Sequence, residues 1–144
     1  MKGFFKKGDG AGAGVSGGAV DGGGATVLIV DDSPTETFVI KKIVEGAGFT
    51  TATAENGESG VAEAKRIKPD VILMDVVMPG LNGFQATRQL SKDPETMGIP
   101  VIMVTTKDQE TDRAWGLRQG AKEYVVKPIV PAELISKIGA VLNG

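Results

Sequence analysis

Val71-Ile72-Leu73-Met74-Asp75 runs from unbroken apolar residues into a carboxylate, and Val76-Val77-Met78-Pro79-Gly80 then turns the chain. The same shape recurs at Val27-Leu28-Ile29-Val30-Asp31-Asp32, at Val101-Ile102-Met103-Val104-Thr105 and at Tyr124-Val125-Val126-Lys127-Pro128. Near-continuous apolar runs, as opposed to alternating ones, are the mark of central parallel strands covered on both faces. In a parallel α/β sheet, ligands bind outside the carboxyl ends of the strands, where strand order reverses. One sheet edge would therefore gather Asp31, Asp32, Asp75, Thr105 and Lys127. Three carboxylates, a hydroxyl and an ammonium suit a divalent metal and a phosphoryl group.

Working outward, strands and helices alternate from Thr26 onward. Strands are expected at about 26–31, 49–54, 70–75, 100–105 and 122–126. The second is Thr-rich and reads as an edge. Ser33-Pro34 opens the first helix, with Ser at the N-cap and Pro at the first helical position; the helix runs to Glu45, and Gly46 and Gly48 end it. Further helices follow Asn56-Gly57, cover about 84–91 and 108–118, and start at Pro131. Five βα units joined by right-handed crossovers give a five-stranded parallel sheet, doubly wound, in a three-layer α/β sandwich.

The 144 residues suit one domain, 26–144. Residues 1–25 hold 10 of the 21 glycines and show no apolar period. Such a segment cannot bury enough surface to offset its ordering entropy, so a disordered tail is expected. A flexible chain of that length spans roughly 25–30 Å. It is either a solvated extension or a tether whose Phe4-Phe5 pair, flanked by Lys2, Lys6 and Lys7, touches a partner or an anionic surface. The chain ends with its last helix, so no output domain is expected after it, and there are no internal repeats. A net charge of −2 argues against non-specific nucleic-acid binding. Cys and His are both absent, which removes disulfides, the commonest general base and the commonest transition-metal ligand. A metal site must then use oxygen ligands, which points to magnesium, calcium or manganese. No apolar stretch approaches the roughly 18 residues of a membrane span, and the basic N-terminus leads into glycine, unlike a secretory signal. A cytoplasmic protein is expected.

Taken singly, an Asp at a strand end is often a cap or turn residue, a Thr a cap, and a Lys a solvated charge. Together, Asp31-Asp32, Asp75 followed by Met78-Pro79-Gly80, Thr105 and Lys127-Pro128 resemble the signature of the receiver domain of two-component response regulators. The resemblance covers residues 26–142. The stretches from Asp75 to Leu90 and from Thr105 to Asp112 resemble a narrower group, the single-domain, CheY-like PilH-type regulators of the twitching-motility chemosensory system. The resemblance implies a CheY-like (flavodoxin-like) fold with strand order 2-1-3-4-5. It implies that Asp75 is the phosphoacceptor, a carboxylate nucleophile. Asp31, Asp32, Asp75 and the backbone carbonyl of Val77 would hold Mg²⁺. Lys127 and Thr105 would contact the phosphoryl group, and the Lys127-Pro128 peptide would be cis. Tyr124 would be the switch aromatic, rotating inward as Thr105 moves. The implied partners are a CheA-like histidine kinase or phosphotransfer domain and an effector protein. No nucleic acid is implied, and a monomer is expected. The chain would signal by protein–protein contact, or serve as a phosphate sink for a shared kinase.

On the fourth helix, Ala114, Leu117 and Ala121 are expected to face the core, leaving Trp115 partly exposed on the output face. Val77, Lys107 and Ile129 depart from well-known single-domain members of the family, and the first two flank the path of attacking water. Two other classes share features. A haloacid-dehalogenase-type phosphatase needs a second Asp two residues after the nucleophile, where this chain has Val77. A flavodoxin-like cofactor binder needs hydroxyls and amides after the first strand, where Asp31-Asp32 would repel a phosphate.

Overall fold

The apolar runs form the centre of the sheet in a computed structural model of the protein, which describes residues 23–144. The strands are β1 (Thr26–Val30), β2 (Thr50–Ala54), β3 (Val71–Met74), β4 (Val101–Thr105) and β5 (Glu123–Val126). All pairings are parallel and the order is β2-β1-β3-β4-β5. Every residue of β3 and β4 is buried, while Thr-rich β2 is the partly exposed edge that its composition anticipates. The expected tail lies almost wholly outside the described residues, and Phe4-Phe5 lies entirely outside them.

Successive strand residues face opposite sides of the sheet, and each side has its own core. Val27, Ile29, Leu73, Ile102, Val104 and Val125 pack against Ile40 and Val44 of α1 (Pro34–Gly46) and Leu134 and Ile138 of α5 (Pro131–Asn143). Leu28, Val30, Ile72, Met74, Met103 and Tyr124 pack on the other side with Ala64 of α2 (Gly57–Ile67) and Ala86 and Leu90 of α3 (Gly83–Lys92). Local chemistry starts each helix where the sheet needs it. The Ser33 hydroxyl accepts from Glu36 N–H at 3.2 Å, and Asn56 and Asn82 close reciprocal capping boxes with Ser59 and Gln85. The Lys127–Pro128 peptide is cis.

One element departs from expectation. In α4 (Glu110–Gln119), Ala114 and Leu117 are exposed, Leu117 by 51%, and the buried positions are Gly116 and Gln119. Ala121 is buried but lies beyond the helix end. The physical reason is that the space under α4 is already filled. A Cβ on Gly116 would stand 3.3 Å from both Met103 Cγ and Tyr124 Cε2, so the helix turns its smallest residue inward and its Leu outward. Trp115 is 48% exposed, in line with its expected place.

Leu73 is fully enclosed at the centre of the sheet. Leu73→Ala should cost about 2–5 kcal/mol, transfer and cavity contributions together, measured as a lower urea midpoint with an unchanged m-value.

Candidate functional site

The strand ladders deliver the polar residues to one edge. Asp75 N–H donates to Val30 O at 3.0 Å and Asp31 N–H to Ala54 O at 3.1 Å, while Lys127 N–H donates to Thr105 O at 2.9 Å. Each polar residue at the end of β1, β3 and β5 is therefore held by the neighbouring strand. Below Asp75, Gly83 N–H donates to Val76 O at 2.9 Å, which seats the start of α3 against the β3–α3 loop. A Cβ on Gly83 would collide with the Asp75 carbonyl, so only glycine lets α3 begin this close.

Ligand oxygens of Asp31, Asp32 and Asp75 lie within 4.8 Å of one another. Asp31 and Asp75 are buried and Asp32 is exposed. The Lys127 ammonium, its side chain only 9% exposed, reaches Asp31 Oδ2 at 2.9 Å, Glu36 Oε1 at 3.5 Å and Asp75 Oδ2 at 3.7 Å. Asp31 Oδ1 also accepts from Ser33 N–H at 2.9 Å, and Asp75 Oδ1 from Val76 N–H at 2.8 Å. Thr105 is fully buried beside Asp75, and its hydroxyl oxygen accepts from Lys107 N–H at 3.3 Å.

Burial pushes the Asp75 carboxyl above its ordinary range; Lys127 opposes this, Asp31 adds to it, and the Val76 N–H and Thr105 hydroxyl oppose it again. Burial works against the Lys127 charge, but the Asp31 hydrogen bond and the attraction of Asp75, Asp31 and Glu36 outweigh it, so its pKa is raised. Lys127 is thus a fixed cation, while Asp75 is a carboxylate held in an environment that resists its charge.

Such an arrangement has a direct chemical reading. One ammonium stands against the three clustered carboxylates, and two like charges about 4 Å apart repel by roughly 4 kcal/mol at an effective dielectric near 20. An all-oxygen donor set with one exposed member fits a hard divalent cation that keeps several waters. Asp31, Asp32 and Asp75 are the residues that could hold it. Val77 follows two residues after Asp75 with its side chain exposed.

The structure brings Asp31, Asp32, Asp75, Thr105 and Lys127 together and sets the two output candidates apart. Tyr124 is buried beneath α4, its hydroxyl donating to Lys107 O at 2.8 Å, and Trp115 is on the outer surface of α4. Burial, reinforced by the Asp112 carboxylate, pushes the Tyr124 hydroxyl up to about 12. Two partners leave no mark in the sequence. Glu36 reaches Lys127 from the first turn of α1, a position where an acidic residue reads as ordinary helix-dipole chemistry. Arg113 lies over the Tyr124 ring at 5.3 Å, a pairing between two elements that no local pattern announces.

Residues 27–139 match the response regulator receiver domain family. The chain is 61% identical over 120 residues to the protein PilH of Pseudomonas aeruginosa, covering 83% of this chain and 99% of that protein. It is 40% identical to the phosphate regulon transcriptional regulatory protein PhoB of the same species, over 83% of this chain and 52% of that protein. Among solved structures, the Vibrio cholerae chemotaxis protein CheY4 superposes with a TM-score of 0.78 at 31% identity, covering 83% of this chain and 99% of that one. The receiver domain of a Pseudomonas aeruginosa PAO1 sensor histidine kinase, solved with a magnesium ion in its active site cleft, gives 0.78 at 30% identity, covering 84% and 99%.

A carboxyl whose folded pKa is raised favours folding only below its unfolded pKa, and that advantage is lost as pH rises through the folded value. In metal-free buffer, Asp75→Asn should therefore be more stable than the parent chain at pH 7. The gap should close as pH falls below the ordinary carboxylate range. Adding Mg²⁺ should narrow the gap at pH 7 by raising the melting temperature of the parent chain more than that of the variant. Thermal melts across pH, with and without Mg²⁺, check both signs.

Proposed function

Because the chain belongs to the response regulator receiver domain family, a family of signalling domains, we propose that it accepts a phosphoryl group onto Asp75 from the phosphohistidine of a histidine kinase or phosphotransfer domain. The observation that carries this reading is the meeting of Asp75 with Asp31, Asp32 and the Lys127 ammonium at one sheet edge. An Asp75 carboxylate oxygen attacks phosphorus, the phosphorus–nitrogen bond of the donor breaks, and the imidazole leaves with the bond's electron pair. Asp75 is suited to this because burial leaves its carboxylate poorly stabilised, which favours bond formation. Lys127 is within a small side-chain movement of Asp75 and pairs with a phosphoryl oxygen as a point charge. The Thr105 hydroxyl supplies a hydrogen bond at the same end.

Asp31, Asp32, Asp75 and the Val77 carbonyl are the proposed Mg²⁺ ligands. When bound, the cation offsets the charge of the carboxylates and of the incoming phosphoryl group. The magnesium in the cleft of the related histidine-kinase receiver supports that choice of metal. Val77, where a haloacid-dehalogenase phosphatase needs an acid, argues against hydrolytic turnover as the main activity.

Identity of 61% to PilH along 99% of its length supports a single-domain regulator acting in the twitching-motility chemosensory system. The output is contact with an effector protein through Tyr124, Trp115 and the face around them, in the cytoplasm. Among the described residues no helix is long and apolar enough to cross a membrane.

Incubation with acetyl phosphate, followed by intact mass measurement, tests the central step. A single Mg²⁺-dependent phosphoryl adduct is expected, absent in Asp75→Ala and reduced in Lys127→Ala. An adduct that survives Asp75→Ala would refute Asp75 as the acceptor.

A further inference from the structure

Helix α4 contains a glycine at its centre, has no apolar stripe and exposes its Leu and its Trp. A mid-helix glycine is a poor choice for helix stability, and its neighbours explain its presence. Gly116 lies flat against the Tyr124 ring: a Cβ there would stand 3.3 Å from Cε2 and 3.4 Å from Cδ2. One turn earlier on the same helix, the Arg113 guanidinium covers the ring at 5.3 Å from its centroid. The hydroxyl is tied at the far end, donating to Lys107 O at 2.8 Å. Tyr124 is 4% exposed as a result. None of these three contacts involves Asp75 or Lys127.

We propose that Arg113 and Gly116 form a clamp that holds Tyr124 inward, so that α4 of this chain sets the resting position of its switch aromatic. Arg113 is a positioning residue, because it acts on the ring and touches neither the acidic cluster nor a reacting atom. Its guanidinium suits this position. Planar, permanently charged and weakly hydrated, it stacks on an aromatic face better than an ammonium does. Gly116 supplies the room, and the Lys107 carbonyl fixes the depth. The chain would thus present a largely formed α4 surface, with Trp115 and Leu117 outward, before any phosphoryl group arrives. Phosphorylation would then shift an equilibrium that already favours the inward state, because a ligand can move a population only by its differential affinity for the two states. The signalling consequence rests on the receiver reading above, whereas the clamp itself rests only on contacts within α4, β5 and the β4–α4 loop.

The chain contains a single tyrosine, so meta-fluorotyrosine labelling reports Tyr124 alone by fluorine NMR. In the parent protein one signal is expected, shielded from a soluble paramagnetic agent. Arg113→Gln should raise the solvent-exposed fraction about fivefold, the size of one partly exposed cation–π contact. Arg113→Lys should recover part of the loss, and Gly116→Ala, whose Cβ would press on the ring edge at 3.3 Å, should raise the exposed fraction by a smaller amount. Acetyl phosphate with Mg²⁺ should return Tyr124 inward in Arg113→Gln and change the parent signal little, a response that a purely structural role for Arg113 would not produce. A Tyr124 signal in Arg113→Gln identical in shift and shielding to the parent would overturn the clamp. The phosphoryl adduct, read by mass on the same samples, keeps the two ideas separate. A normal adduct with no change at Tyr124 sinks the clamp alone, and a shifted Tyr124 with no adduct leaves the clamp standing and counts against phosphoryl transfer from acetyl phosphate to Asp75 alone.

Discussion

A single ammonium group organises the charged edge of this sheet. Lys127 is nearly enclosed and lies within 4 Å of carboxylates from Asp31, Glu36 and Asp75. Without it, the buried Asp31 and Asp75 carboxylates would face each other with little water to separate their charges. With it, one ammonium stands against three clustered carboxylates. That imbalance gives the edge its chemistry. The remaining deficit of positive charge is of the kind that a divalent cation corrects.

The fold makes that arrangement easy to hold. Asp31, Asp75 and Lys127 each sit one position past a strand and donate the backbone N–H to a carbonyl of the strand beside it. The side chains are therefore aimed by the ladder before any contact among them forms. The two cores on either side of the sheet fix the register. A one-residue slip in β1 would send Val30 and Ile29 to the wrong faces and move Asp31 out of the cluster. Stability and site geometry consequently depend on the same packing, and the apolar runs behind Asp31, Asp75 and Lys127 are what let these residues occupy part-buried positions.

Much of this is legible in the chain. Unbroken apolar runs in Val71–Met74 and Val101–Val104 mark central strands because burial on both faces leaves no alternation to read. Ser33-Pro34 marks a helix start because a cap and a fixed φ act locally. The meeting of five polar residues follows once the strands are known to be parallel. What escapes is whatever depends on the space between elements. Glu36 looks like a residue of a helix's first turn, since its distance to Lys127 across the sheet edge has no trace in local spacing. The burial of α4 escapes for a related reason. A periodicity argument assumes that the helix with the larger apolar residues buries them, and here Tyr124 and Met103 have already filled the available volume.

That mismatch points to what kind of element α4 is. Where local pattern and tertiary placement agree, a segment is held by its own preferences together with those of the fold; where they disagree, the disagreement is often found at a functional position. α1 and α5 keep apolar faces on their core, whereas α4 offers the interior a glycine and a glutamine whose amide nitrogen has no hydrogen-bond partner. It is anchored by few apolar side chains of its own and leans on a tyrosine from the neighbouring strand. Its other ties run to α3, where Arg88 donates to the Gln119 side-chain oxygen at 3.4 Å and the Ser91 hydroxyl to the Gln119 carbonyl at 2.9 Å, so the Tyr124 ring is its link to β5. The hydroxyl of that ring is bonded to a loop that begins at Thr105, next to Asp75. The acidic edge and α4 are therefore joined by a short run of backbone and one ring.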